Sequence, residues 1–163
     1  RSISLWPQGL LDRSSEEHIR RNFIESDRLE AVIGLGRNLF YNSGMESCLV
    51  ISKTKKEDHK KGKVIFINAH DLVKKEKNIS FLEPEHIETI YNVYIGYVGV
   101  DGLSRVVDSH EIIQNRSSLN ISLYVNKYSG GDSHTFNDVY RCWESSANKL
   151  SGSMDALFKR LGG

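Results

Sequence analysis

Two short apolar segments rich in Val and Ile constrain this fold more than any other feature of the sequence. They span residues 29–35 and 48–51, and a connector rich in Gly and Asn separates them. Each is too short for a free-standing helix, and the Gly and Asn residues around them favour strands. Neither segment alternates cleanly between apolar and polar residues, which indicates a sheet covered on both faces. We therefore predict two buried strands of an α/β sheet.

A strand and a helix precede this pair. Residues 2–6 are a predicted strand that ends near a Pro and a Gly. Residues 16–26 form a predicted helix, and Ser14 with Glu17 has the spacing of a capping box. We expect Arg20 to lie off its apolar face, which consists of Ile19, Phe23 and Ile24. Strand, helix and strand with short joints predict a right-handed βαβ-type unit.

Shorter elements follow the central pair. Residues 64–69 are a predicted strand, and residues 84–97 a helix with Pro in its first turn. Residues 104–107 and 121–125 are predicted short strands, possible edges of the sheet, around a helical turn at 110–114. The spacing of the second helix predicts an apolar face made of Ile87, Ile90, Tyr91 and Tyr94.

Charge and cysteine content exclude several classes of protein. The 163 residues include 22 Lys and Arg against 21 Asp and Glu, so bulk charge does not indicate nucleic-acid binding. Residues 53–63 are locally basic, as either a solvated loop or a phosphate-contacting loop. Cys48 and Cys142 imply no disulfide framework, which favours the cytoplasm. No apolar run approaches the roughly 20 residues of a membrane span.

The sequence contains no motif that by itself assigns a reaction. The six histidines are scattered and have no metal-ligand spacing. Gly34-Leu35-Gly36 is a lone GxG, which supports dinucleotide binding only weakly, and no nucleophile elbow or Walker loop occurs. We therefore assign no catalytic, cofactor-binding or metal-binding residue to this chain.

The C-terminal region carries an apolar stripe. Residues 127–134 are a predicted linker containing SGGDS, and residues 135–163 are a predicted helical segment. Its apolar residues recur at steps of four and three, the spacing of a helix-packing seam. A Gly and several serines near residues 151–153 allow a break there. We expect the seam to bind a partner through Tyr140, Trp143, Leu150, Met154, Leu157 and Leu161.

Several segments, in order, resemble the modification subunit of type I restriction–modification systems, an adenine-specific DNA methyltransferase family. They are Pro7 with Gly9, Ile19-Arg20, Val-Ile-Gly-Leu at 32–35, a Leu-Phe connector at 39–44, GKVIFINA, HIETIYNVY and EIIQNRSSLNISLYV. The resemblance covers residues 1–126. Gly36 stands where the family commonly has Pro, and Ser118 where it often has Asn.

The resemblance implies a fold and a function. Residues 1–126 would form the C-terminal half of a Rossmann-like methyltransferase sheet with flanking helices, followed by the helical segment. The intact protein would use S-adenosylmethionine to methylate adenine, with a specificity subunit, a restriction subunit and double-stranded DNA as partners. The family's Gly-rich and Asn-Pro-Pro-aromatic motifs do not occur, so this chain is expected to be an inactive fragment. Its first strand would be an exposed edge that favours self-association.

Two other interpretations remain open at this stage. The chain could be a non-enzymatic module that docks helices through residues 136–161, or part of another adenine methylase, such as one fused to its nuclease. An Asn-Pro-Pro-aromatic segment upstream in the parent gene would favour a methylase. A neighbouring gene with two target-recognition domains would favour the type I system.

Overall fold

The computed structural model describes residues 1–40, 43–77 and 79–125. The elements in these ranges are β1 (Ser2–Pro7), α1 (Glu17–Glu25), β2 (Leu29–Leu35), β3 (Ser47–Ser52), β4 (Lys63–Ala69), β5 (Lys74–Glu76), β6 (Ile79–Phe81), α2 (Pro84–Gly96), β7 (Ser104–Asp108) and α3 (Ser109–Gln114). Short 3-10 helices lie at Gln8–Leu11, Ser14–Glu16, Asp58–Lys60 and Ile121–Leu123. The fold is mixed α/β, as predicted.

The main sheet has the strand order β1-β3-β2-β4-β7. β2 and β4 are parallel, and the other neighbouring pairs are antiparallel. β1 and β2 both run antiparallel to β3, so they point the same way with β3 between them. The predicted βαβ-type unit is therefore present with one strand inserted. β5 and β6 form a separate two-stranded hairpin.

The central strand β2 is buried along its whole length, which confirms that the sheet is covered on both faces. Val32 packs in one cluster with side chains of α1 and α3, such as Ile24 and Ile112. Its neighbour Ile33 points to the opposite face and packs in a second cluster with Ile90 of α2. The alternation of a strand thus supplies two hydrophobic cores from one apolar segment.

One predicted strand is wrong. Residues 121–125 pack on the face of the sheet as a 3-10 turn instead of pairing at its edge. The Asn120 side chain accepts a hydrogen bond from Ser122 N, which starts that turn locally. The Tyr124 ring then stacks on Phe66 with 4.3 Å between ring centroids. The apolar residues of this segment therefore cover β4.

The helix ends also differ from the prediction. The side chain of Ser14 caps nothing, because residues 14–16 form a 3-10 turn and Glu16 occupies the cap position of α1. The capping box belongs instead to α2, where Glu83 and His86 exchange hydrogen bonds. The sequence did not predict this box, because Glu and His replace the usual Ser or Thr at the cap and Glu or Gln three residues later.

The predicted face of α2 is only half correct. Ile90 and Tyr94 are buried together with Val93. Ile87 and Tyr91 are 53% and 59% exposed. The helix is rotated about its axis so that the i, i+3, i+4 set starting at Ile90 meets the sheet. The predicted apolar face of α1 is also partly wrong, because Ile19 is 54% exposed.

Arg20 was expected off the apolar face of α1 but is buried. Its Nε donates to Ser117 O at 2.9 Å, and its Nη1 lies 2.7 Å from Arg13 O and 3.2 Å from Leu10 O. Ser117 has a positive φ of 51°, so its backbone is held in the left-handed region beside this guanidinium. Arg20 thereby joins the segment after β1 to the segment after α3.

Candidate functional site

The carboxyl ends of three strands meet at one edge of the sheet. β1, β2 and β4 run in the same direction, so Pro7, Leu35 and Ala69 lie along the same side. In α/β sheets, ligands bind outside the carboxyl ends of the strands. This carboxyl edge is therefore the candidate functional site of the described residues.

The GxG element at this edge is closed by packing. A Cβ added to Gly34 would lie 2.7 Å from His70 Nε2 and from Ile121 Cδ1. A Cβ added to Gly36 would lie 2.7 Å from His70 O and from Val73 Cγ1. These glycines let the segment after β4 cross directly over β2. The protein's own atoms fill the space beside both glycines, so this GxG serves close packing and does not form an open phosphate cradle.

The loop after β2 presents apolar side chains at the same edge. Asn38 has a positive φ of 59°, and the backbone turns sharply there. Phe40 is 37% exposed, and its carbonyl accepts a hydrogen bond from Ser43 N at 3.1 Å. Met45 is 64% exposed. An aromatic ring and a flexible thioether therefore face solvent beside the carboxyl ends.

An ion pair braces this loop. Arg37 Nε donates to Glu46 Oε1 at 2.7 Å, joining the residue after β2 to the residue before β3. Glu46 O in turn accepts a hydrogen bond from Gln8 N at 3.3 Å, just beyond β1. The pair is largely exposed, so its own contribution to the free energy of folding is small, about 0–1 kcal/mol. Its effect is to fix the base of the loop against β1.

Two side-chain atoms at the carboxyl edge are buried without a hydrogen-bond partner among the described residues. They are Gln8 Oε1, after β1, and His70 Nε2, after β4. A buried polar atom left unpaired costs about 1–3 kcal/mol. Three further atoms of this kind in the described part of the chain, in Glu30, Tyr94 and Ser109, lie away from this edge, so the unpaired atoms do not single it out.

The basic segment 53–63 lies at the opposite edge, because it joins the end of β3 to the start of β4. Two of its lysines are buried, which neither the solvated-loop nor the phosphate-loop interpretation predicted. Lys56 Nζ contacts Asp27 Oδ1 at 2.6 Å and Lys63 O at 2.7 Å. Lys60 Nζ lies 3.4 Å from Oε1 of the fully buried Glu30. The segment is anchored by charge pairs.

Most of the remaining charge in this segment is paired as well. Lys53 contacts Glu57 at 2.9 Å, and Lys61 contacts Asp58 at 2.6 Å. The hydrogen bond from Lys53, followed by the nearby charge of Lys60, lowers the pKa of Glu57. Four of the six lysines of this segment are thus held by carboxylates, at the edge away from the carboxyl ends.

An open apolar groove lies between β1 and α1. Its lining includes Trp6 of the strand and Ile19 and Phe23 of the helix. On the opposite face of β1, Ile3 and Leu5 are 60% and 48% exposed. β1 also pairs only with β3 in the described sheet, which confirms that it is an edge strand.

Metal ligands, membrane spans and the cysteine can also be checked in the described ranges. No group of three or more His, Cys, Asp and Glu side chains there could hold a metal ion. No helix there is long and apolar enough to cross a membrane. Cys48 is a buried free thiol, and burial raises its pKa to about 12. The predicted partner-binding residues lie outside the described part of the chain: Tyr140, Trp143, Leu150, Met154, Leu157 and Leu161.

Comparison with known proteins points to one family. Residues 3–132 match the model of the N-6 DNA methylase family. The type I restriction enzyme MjaVIII methylase subunit of Methanocaldococcus jannaschii is 36% identical over 136 residues, which are 81% of this chain and 24% of that subunit. The MjaVII methylase subunit of the same organism is 39% identical over 113 residues, 68% of this chain and 20% of that subunit.

The fold has a counterpart among solved structures. The crystal structure of the type I restriction-modification system methyltransferase subunit from Streptococcus thermophilus superposes with a TM-score of 0.72 and 31% identity. The match covers 77% of this chain and 26% of that subunit. The chain thus spans about a quarter of the length of the relatives it matches.

Proposed function

Because the chain belongs to the N-6 DNA methylase family, we propose that it is the C-terminal part of the modification subunit of a type I restriction–modification enzyme. The intact subunit would methylate the amino group of adenine in double-stranded DNA, with S-adenosylmethionine as methyl donor. The methylase subunits that match the chain over about a quarter of their length support this assignment. The structural observation that carries it is the unpaired outer side of β1.

The outer side of β1 is built like the interior of a sheet. Its backbone N–H and C=O groups on that side have no strand partner in the described residues. On one face of this edge strand, Ile3 and Leu5 are 60% and 48% exposed. Burying the exposed half of each side chain would contribute roughly 1–1.5 kcal/mol. We propose that a strand from the preceding part of the subunit pairs with β1 and that its side chains pack beside Ile3 and Leu5. A helix on the other face of the sheet would fill the groove lined by Trp6.

The carboxyl edge then lies beside the substrate. An enzyme that acts on a base in duplex DNA extrudes that base and holds it by stacking against aromatic or apolar side chains. Phe40 is a partly exposed aromatic residue in the loop at that edge. We propose that Phe40 faces the extruded adenine and helps to hold it in place.

The methyl-transfer chemistry is assigned to the preceding part of the subunit. Transfer requires acceptors that hold the adenine amino nitrogen in line with the methyl donor. The resemblance places those acceptors in an Asn-Pro-Pro-aromatic motif, and this chain has only Pro7 and Pro84, far apart. Its GxG packs against the segment after β4 and does not supply a phosphate cradle. The residues described here would complete the sheet and shape the substrate side of the site.

The C-terminal region would connect the subunit to the assembly. We propose that residues 1–126 complete the methyltransferase domain, that 127–134 are a linker, and that 135–163 dock on the specificity subunit. The apolar seam in the sequence supports this division. The restriction subunit would join the same cytoplasmic assembly on DNA.

One matched pair of variants tests the role of β1. Ile3→Lys and Ile79→Lys each replace an isoleucine that is 60% or 62% exposed in a strand. In the isolated chain, thermal unfolding should change little for either. In the intact subunit only Ile3→Lys should lower the melting temperature, because only Ile3 would be buried by the added strand. Equal behaviour of the two variants in the intact subunit would refute the proposal.

A second test concerns the cofactor. Isothermal titration of S-adenosylmethionine into the 163-residue chain should give no specific isotherm, whereas the intact subunit should bind it. A 1:1 isotherm at micromolar affinity for the chain alone would contradict the assignment of the cofactor site to the preceding part.

A further inference from the structure

The β5–β6 hairpin lies beside the loop that carries Phe40. The segment before the hairpin crosses Gly36, with His70 O and Val73 Cγ1 each 2.7 Å from the position of an added Cβ. On the second strand of the hairpin, Ser80 N donates to Asn38 O at 2.9 Å. The segment before the hairpin and its second strand are therefore held against the carboxyl edge of the sheet.

The base of the hairpin is fixed by its own contacts. Lys74 Nζ donates to Glu83 Oε1 at 2.7 Å and lies 5.6 Å from the centre of the Phe81 ring. The hydrogen bond to Glu83 and the charge of that carboxylate raise the pKa of Lys74. Ser80 is buried in the same region. Lys74 is therefore engaged within the protein and is not free for a ligand.

The tip of the hairpin differs from its base. Lys75 and Lys77 are exposed, and within the described ranges neither forms an ion pair or a hydrogen bond. Lys77 has a positive φ of 48°, so the chain reverses there and carries its side chain at the turn. The single residue between these two lysines, Glu76, is acidic. The tip thus carries two available cations on a fixed support.

The basic segment 53–63 provides the contrast. Of its six lysines, two are buried and two are paired with carboxylates, which leaves Lys55 and Lys63 exposed and without a side-chain partner among the described residues. It also lies at the amino edge of β2 and β4. The two places thus have the same number of available lysines, and the position of the hairpin at the carboxyl edge distinguishes it from segment 53–63.

We propose that the β5–β6 hairpin binds the phosphate backbone of duplex DNA through Lys75 and Lys77. This inference rests on the proposed function, which makes DNA the substrate at the carboxyl edge. Phosphate contacts position a protein on DNA without reading its sequence. The hairpin would hold the duplex next to Phe40 while another part of the assembly reads the bases.

The test uses the intact methylase assembled with its specificity subunit and a mixed-sequence DNA duplex. Fluorescence anisotropy gives the observed binding constant at several salt concentrations. Each phosphate contact contributes about 0.9 to the slope of log K against log salt. The slope is negative, and the double variant Lys75→Gln, Lys77→Gln should therefore reduce its magnitude by about 2. The control Lys55→Gln, Lys63→Gln, at the opposite edge, should leave it unchanged.

A positional readout complements the salt series. An iron–EDTA group attached to a cysteine at Lys77→Cys should cleave the bound duplex, and one at Lys55→Cys should not. An unchanged slope for the hairpin variant, or an equal fall for both double variants, would overturn the inference while leaving the proposed function intact. A wild-type assembly that binds no DNA would overturn the proposed function and this inference with it.

Discussion

Arg20 offers the sharpest test of how the segments around the site are held together. The residue is 3% exposed, and its guanidinium contacts the carbonyl oxygens of Leu10, Arg13 and Ser117 at 3.2, 2.7 and 2.9 Å. Arg20→Met keeps much of the side-chain volume but removes every donor. Each buried carbonyl that loses its partner costs about 1–3 kcal/mol. Because part of this cost is recovered by water near Arg13, we expect a total of about 3–5 kcal/mol.

The neighbouring residue is a matched control. Arg21 is on the same helix, and its side chain is 54% exposed in an ion pair with Glu25 at 2.8 Å. An exposed i, i+4 pair contributes about 0.3–0.5 kcal/mol, so Arg21→Met should barely change stability. Urea unfolding followed by circular dichroism measures both variants. If Arg20→Met loses less than about 1 kcal/mol, or no more than Arg21→Met, the reasoning about its buried hydrogen bonds is wrong.

Three further predictions concern packing and protonation. Gly34→Ala should destabilise the chain by about 1–3 kcal/mol in urea unfolding, because its Cβ would meet side chains at 2.7 Å, whereas Gly9→Ala, with its nearest atom at 3.7 Å, should be near neutral. Native Cys48 should resist iodoacetamide in a Cys142→Ser background at neutral pH, because burial raises its thiol pKa to about 12, and rapid alkylation without unfolding would contradict this. Burial raises the pKa of Tyr97 above its ordinary value of 10.0, so its contribution to stability is full below about pH 10 and is lost as the pH rises towards the folded pKa; unfolding free energies at about pH 9 and about pH 11 should fall less for Tyr97→Phe than for wild type.

The elements that the sequence predicted correctly are those in which burial follows directly from local pattern. β2 and β3 are short Val- and Ile-rich runs between turn residues, which is the pattern of strands covered on both faces. Residues 121–125 have a similar composition, yet a cap from Asn120 and a place on the face of β4 turn them into a 3-10 helix. Local composition alone does not separate these outcomes.

Buried charges were missed for a different reason. Lys60 pairs with Glu30, and Arg20 bonds to Ser117, which lies 97 residues away in the chain. From sequence alone a charged side chain is predicted to be exposed to solvent. Its buried partner is known only once the tertiary fold is known. For the same reason the candidate site could not be placed from sequence, because the carboxyl edge exists only once the strand order β1-β3-β2-β4-β7 is known.

The central claim is that this chain completes a methylase whose chemistry resides in the preceding part of the same subunit. The most direct measurement is transfer of a labelled methyl group from S-adenosylmethionine to adenine in duplex DNA. It would be made with the specificity subunit and the two parts of the subunit, expressed separately or together. Transfer should require both parts, and each part alone should give only background. Equal transfer by the preceding part without this chain, or any transfer by this chain without the preceding part, would contradict the account.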